Sequence, residues 1–141
     1  MSYCSQTDIL NQVDSTALLQ LTDDAGAGAI DADIVTRAIA DADATIDSYC
    51  QDRYSIPLSP VPDKIRQVSV DIAIYNLYSR RDDVVPEVRK ERNKESIRFL
   101  EKVAEGKISL GANTPSPANT DNTVNINSND QIFTRDKMSG F

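Results

Sequence analysis

Histidine is absent from this 141-residue chain, and with it go the commonest general base and the commonest zinc ligand. Cysteine occurs only at Cys4 and Cys50, in no metal-ligand spacing, and in an intracellular protein such a pair reads as free thiols. No run approaches the roughly 20 apolar residues that a membrane span needs, and the chain opens without a basic-then-apolar leader. It has no glycine-rich phosphate loop, no recognisable pair of catalytic carboxylates and no nucleophile motif. The expectation is one modest domain that is not an enzyme, with no catalytic residue, no cofactor, no metal and no membrane contact.

Charge is present but unevenly spread. Residues 1–63 hold eleven acidic and two basic side chains, a net of −9, and residues 64–111 hold eleven basic and eight acidic, a net of +3. The remainder, at −1, completes the overall −7. Halves of opposite sign steer copies of a protein toward each other. The plainer reading is two solvated faces, because exposed pairs are individually weak.

The chain is organised around residues 31–81. In D-A-D-I-V-T-R-A-I-A-D-A-D-A-T-I-D-S-Y-C, the residues Ile34, Val35, Ala38, Ile39, Ala42, Ile46, Tyr49 and Cys50 recur at helical spacing. Asp31 suits the N-cap, and Asp41, Asp43, Asp47 and Asp52 fall mainly off the apolar stripe. The elbow Y-S-I-P-L-S-P-V-P follows, with three prolines in six positions. It is closed to helix yet apolar enough to place Ile56, Leu58 and Val61 against the bundle. A second helix, over about 62–80, carries Ile65, Val68, Ile72 and Tyr75 on one side and Val70, Ile74, Leu77 and Tyr78 on the other. A helix apolar on two faces has neighbours on both. The fold class is therefore all-α: a small helical bundle around that central helix, spanning residues 1–111.

Ahead of this core, Thr7 and then Asp14 or Ser15 are candidate caps for short helices, with Leu10, Leu18 and Leu21 closing the bundle. The aspartate-rich loop T-D-D-A-G-A-G-A-I-D lacks the ligand spacing of a calcium loop. Behind the core, Pro86 and Glu87 start a helix and Lys102 and Gly106 stop it. Val88, Ile97, Leu100, Val103 and Ala104 form its stripe, and the rest is a charged solvated or interface face. Arg80, Arg81, Arg89, Lys90, Arg92 and Lys94 form a basic cluster, but the acidic residues between them make it a poor DNA site.

From residue 112 the composition turns to Asn, Ser, Thr and Pro, then ends in Q-I-F-T-R-D-K-M-S-G-F. A polar spacer before a sticky peptide is the pattern of an arm that orders on a partner. Residues 112–141 are thus an extended partner-binding C-terminal arm, in which T-V-N-I-N has the alternation of a short strand.

Three segments carry a resemblance: M-S-Y-C-S-Q-T-D-I-L, then I-D-S-Y-C-Q-D-R-Y-S-I-P-L-S-P-V-P-D-K-I-R-Q-V-S-V-D-I-A-I-Y-N-L-Y-S-R-R, and finally F-T-R-D-K-M-S-G-F. In order and spacing they resemble the head-to-tail joining proteins of Mu-like phages and prophages. The resemblance implies a structural virion protein of the head–tail neck, assembled in the host cytoplasm. It implies a homo-oligomeric ring of about a dozen copies, with the portal protein and a tail-side neck or terminator protein as partners. Genomic DNA would pass through without sequence-specific binding. On that basis Arg80, Arg81, Arg89 and Lys90 would join neighbouring subunits, and Asp41, Asp43 and Asp47 would line the channel. Ile132, Phe133, Arg135, Met138 and Phe141 would bind the partner. The alternative is a small cytosolic helical DNA-binding or regulatory protein of a phage or prophage.

Overall fold

The computed structural model describes residues 1–81 and 84–111. Asp82, Asp83 and the whole proposed arm, including Ile132, Phe133, Arg135, Met138, Phe141 and the T-V-N-I-N strand, lie outside the described residues. Within them run five α-helices and no strand: α1 Gln6–Leu10, α2 Ser15–Thr22, α3 Ala32–Cys50, α4 Asp63–Ser79 and α5 Glu87–Ala104. The fold is all-α.

Helix starts follow from side chains that satisfy free backbone amides. Ser5, not Thr7, caps α1: its hydroxyl accepts from Asp8 N while Asp8 accepts from Ser5 N at 2.8 Å, a reciprocal box in the run Ser5-Gln6-Thr7-Asp8. Asp14 accepts from Thr16 N at 3.2 Å to open α2. Asp31 accepts from Asp33 N at 2.9 Å and Ile34 N at 3.3 Å to open α3. Helices α4 and α5 begin after Pro62 and Pro86, whose side chains make no cap hydrogen bond.

The bundle is arranged about α4. Helix α3 makes its most extensive contact with α4, and α5, α1 and α2 also pack on it. Ile65, Val68, Val70, Ile72, Ala73, Ile74 and Leu77 are buried around nearly the whole α4 circumference. Each large aliphatic side chain so buried is worth about 1.5–3 kcal/mol against exposure. Val35, Ala38, Ile39, Ala42, Ile46 and Cys50 supply the α3 side, and Leu100 and Val103 the α5 side. Leu18 and Leu21 close the bundle, with Leu10 half-buried.

Three expected core residues lie outside. Val88 is 63% exposed in the first turn of α5, and Ala104 is exposed at its last turn. In the elbow, Leu58 is fully buried and Val61 half-buried, but Ile56 is 41% exposed. Leu58 N–H donates to Tyr3 Oη at 3.1 Å, which draws that residue inward and leaves Ile56 facing solvent.

The C-terminal end of α5 is closed by Gly106, at φ +77°, with Gly106 N donating to Val103 O at 3.0 Å and Lys107 N to Lys102 O at 2.9 Å. A Cβ at this position would run into the Arg53 guanidinium. Gly106→Ala therefore carries both a left-handed backbone penalty of about 1–2 kcal/mol and a displaced arginine. Its melting temperature should fall below that of the parent by several degrees, whereas Gly26→Ala, where a Cβ meets nothing, should lose less.

Candidate interaction surfaces

A chain with so many aspartates must either show them to water or give each buried one a donor. Asp43 is buried on α3, at 9% exposure. It stands four residues after Ile39 and three before Ile46, on the apolar stripe itself. Its carboxylate accepts from Tyr3 N at 3.2 and 3.3 Å and from Ser69 Oγ, on α4, at 3.0 Å. Ser69 Oγ is also 3.1 Å from Cys4 Sγ. One turn on, Asp47 accepts from Tyr3 Oη. The first residues of the chain are thus tied to α3, α4 and the elbow together. Burial pushes the Asp43 carboxyl above the usual carboxylate range, against the lowering effect of the Tyr3 amide and Ser69 hydroxyl. Burial likewise raises both Cys4 and Cys50 to about 11, so both free thiols stay protonated and unreactive near neutrality.

A second cluster holds α2. Asp24 takes Arg80 through both guanidinium nitrogens, at 2.6 and 2.8 Å, and also pairs with Arg81. Arg80 Nη2 donates to Leu21 O at 2.7 Å and Arg81 Nη1 to Gln20 O at 3.3 Å. These are the carbonyls left open at the end of α2. The two guanidiniums hold the Asp24 carboxyl well below its ordinary range. Beside them, buried Thr22 donates to Leu18 O at 2.9 Å and accepts from Asp31 N at 3.2 Å, latching α2 to the start of α3. Asp23 folds the intervening loop by accepting from Ala27 N and Gly28 N, both at 2.8 Å. Among the described residues no group of three or more His, Cys, Asp or Glu side chains is placed to hold a metal.

The predicted site residues therefore separate. Of the channel aspartates, Asp41 is exposed, Asp47 is half-buried and engaged by Tyr3, and Asp43 is buried. Of the three, Asp43 has its carboxylate turned inward, onto Tyr3 N and Ser69 Oγ, rather than to the surface of the subunit. Of the interface cations, Arg80 and Arg81 hold α2 within one chain. Arg89 Nη2 donates to Gln12 O at 2.9 Å, closing α5 on the α1–α2 turn. Lys90 stays exposed, 3.5 Å from Glu87. What the fold leaves open is a charged α5 face with Lys90, Lys94 and Arg98, and an α3 face with Asp33 and Asp41. No described helix is long and apolar enough to cross a membrane.

By fold the described residues define a small all-α bundle whose inner charges serve its own packing. The chain belongs to the family described as Bacteriophage Mu, Gp36, whose model matches residues 3–128. It is 31% identical over 140 residues to the Mu-like prophage FluMu protein gp36 of Haemophilus influenzae, covering 99% of this chain and 97% of the relative. It is 28% identical over 144 residues to Gene product J of Escherichia phage Mu, covering 100% and 99%.

Two outcomes follow from these clusters. Asp43 binds its proton more tightly folded than unfolded, so protonation adds stability as pH falls through its raised folded value, and the contribution is complete below the unfolded value of about 3.9. Thermal melts from pH 7 down to about pH 4 should show Asp43→Asn lacking that acid-side gain, a flatter profile than the parent's. Reversing both Arg80 and Arg81 to Glu should lower the melting temperature of the isolated protein and speed tryptic cleavage around the α2–α3 loop. Reversing Lys90 and Lys94, which costs only two exposed i,i+3 pairs, should change both far less. Equal melts for the two double variants would show that the Asp24 cluster does not hold α2.

Proposed function

We propose that this chain is a structural protein of the phage particle, a head–tail connector subunit that forms a ring between portal and tail and completes the DNA channel. The observation that carries the reading is the family match across nearly the whole chain, taken with the sequence likeness to head-to-tail joining proteins. The physical features agree with it. A heterologous contact between unlike faces of identical subunits generates a ring when its rotation closes. This chain offers unlike faces: the acidic α3 surface with Asp33 and Asp41, and an α5 surface on which Lys90, Lys94 and Arg98 alternate with Glu87 and Glu91. In this reading Arg80 and Arg81 shape the subunit, and α5 makes the contact.

Exposed acidic residues such as Asp41 suit a wall past which DNA slides, since negative potential repels phosphate. Residues 112–141, with Phe133 and Phe141, serve as the clamp on the portal or the next subunit. The chain works as a binding subunit and catalyses nothing.

Quantitative mass spectrometry of purified virions tests this directly. About a dozen copies per particle is the expected count for a closed ring. Hundreds of copies would make it a tube or shell protein instead. Its absence from particles would favour the cytosolic DNA-binding or regulatory alternative.

A further inference from the structure

The arginines that reach back into the bundle find acceptors there. Arg80, Arg81, Arg89 and Arg92 each donate to a carbonyl or amide oxygen of another element. Arg53, in the turn that follows α3, does not. It is half-buried, its Nε is enclosed without a hydrogen-bond partner, and it makes no ion pair among the described residues. Its two Nη atoms are not enclosed in that way; they reach the surface, equally without an acceptor among the described residues.

The guanidinium is nevertheless held in place. It lies on Gly106, just past the end of α5, so closely that a Cβ there would overlap Nη1, Cζ and Nη2 together. The negative end of the α5 dipole favours a cation at this spot, and Lys102, exposed in the last turn, adds a second. The acids next to it in the sequence do not neutralise it: Glu105 pairs with Lys107 at 2.7 Å, and Asp52 is exposed and forms no ion pair with it. A planar fork already fixed in position loses little freedom on binding, and it takes an oxyanion through two parallel hydrogen bonds.

A DNA strand is the poorer ligand, since a polyanion would run against the net −9 of residues 1–63. A single carboxylate needs only the fork, and the chain itself supplies one. Asp33 is exposed in the first turn of α3, and its carboxylate has no hydrogen bond or ion pair among the described residues. Asp41, by contrast, lines a cleft with Arg37 and Arg80. Helix α3 rises about 27 Å from Asp33 to Gln51, so Asp33 and Arg53 do not meet within one chain.

We propose that Arg53, seated on Gly106, is a subunit-to-subunit contact that receives the Asp33 carboxylate of a second copy of this chain. A fork and a carboxylate at opposite ends of one helix make a heterologous, head-to-tail contact, the kind that closes into a ring. This contact rests on the connector reading and names the residues at its joint.

The test is the copy number of the full chain in purified particles, read by quantitative mass spectrometry. Arg53→Glu alone sets two acids against each other across the joint, and Asp33→Arg alone sets two cations. Each should lower incorporation by about tenfold or more against the parent. Produced together in equal amounts, the two variants alternate native and charge-exchanged joints and should restore incorporation, which misfolded chains could not do. Parent-level incorporation of either variant alone overturns the contact and leaves the connector reading standing. Loss with Arg53→Glu but not with Asp33→Arg rules out the second copy as the ligand, and failure of the mixture to recover rules out the pairing. Absence of the parent itself from particles removes the connector reading and this contact together.

Discussion

The two-sided burial of α4 is the constraint on which the rest depends. A helix apolar on one face needs one partner, whereas α4, with Val68, Ile72 and Ile65 as well as Val70, Ile74 and Leu77 inside, must be surrounded. The long α3 and α5 cover it from two directions, and the short α1 and α2 fill the gap that remains. Helices of five and eight residues are too short to be stable alone. They hold their shape through caps and through the arginines that reach them from α4 and α5.

Polar groups inside the bundle add direction to packing that apolar contact alone leaves loose. The Tyr3, Asp43 and Ser69 contacts fix which face of α3 meets α4, because a register slip would strand a buried carboxylate without donors. Arginine suits the other role. Its planar fork takes the Asp24 carboxylate with two nitrogens while one of them also reaches a helix-end carbonyl. Cations that seemed available to partners are largely consumed in building the subunit, and the surface left to other molecules is narrower than the sequence suggests.

Helix positions were legible because local rules agree at those places. Asp14 and Asp31 are caps, Pro62 and Pro86 mark starts, Gly106 marks a stop, and the double apolar face identifies the central helix. The individual fate of charges was not legible. Asp41 and Asp43 differ by two positions yet point to water and to the core, and only their phase against Ile39 and Ile46 separates them. The cap at Ser5 was detectable from its box with Asp8. The engagement of Arg80 and Arg81 by Asp24 was not, because it spans more than fifty residues and depends on the bundle already being closed. The seat of Arg53 on Gly106 had no sequence signal, since it needs α3 and α5 in place together.

The N-terminal anchor has a consequence for what depends on what. Tyr3 meets Asp43 and Leu58 across 40 and 55 positions, and Cys4 meets Ser69 across 65. Closing loops of that size costs more entropy than closing the short elbow between α3 and α4, and the groove that receives Tyr3 exists only where α3 and α4 are paired. Without the opening residues, Asp43 faces that groove lacking its amide donor. The Tyr3–Cys4 segment is therefore a dependent piece of the bundle, with a site only where α3, α4 and the elbow already meet.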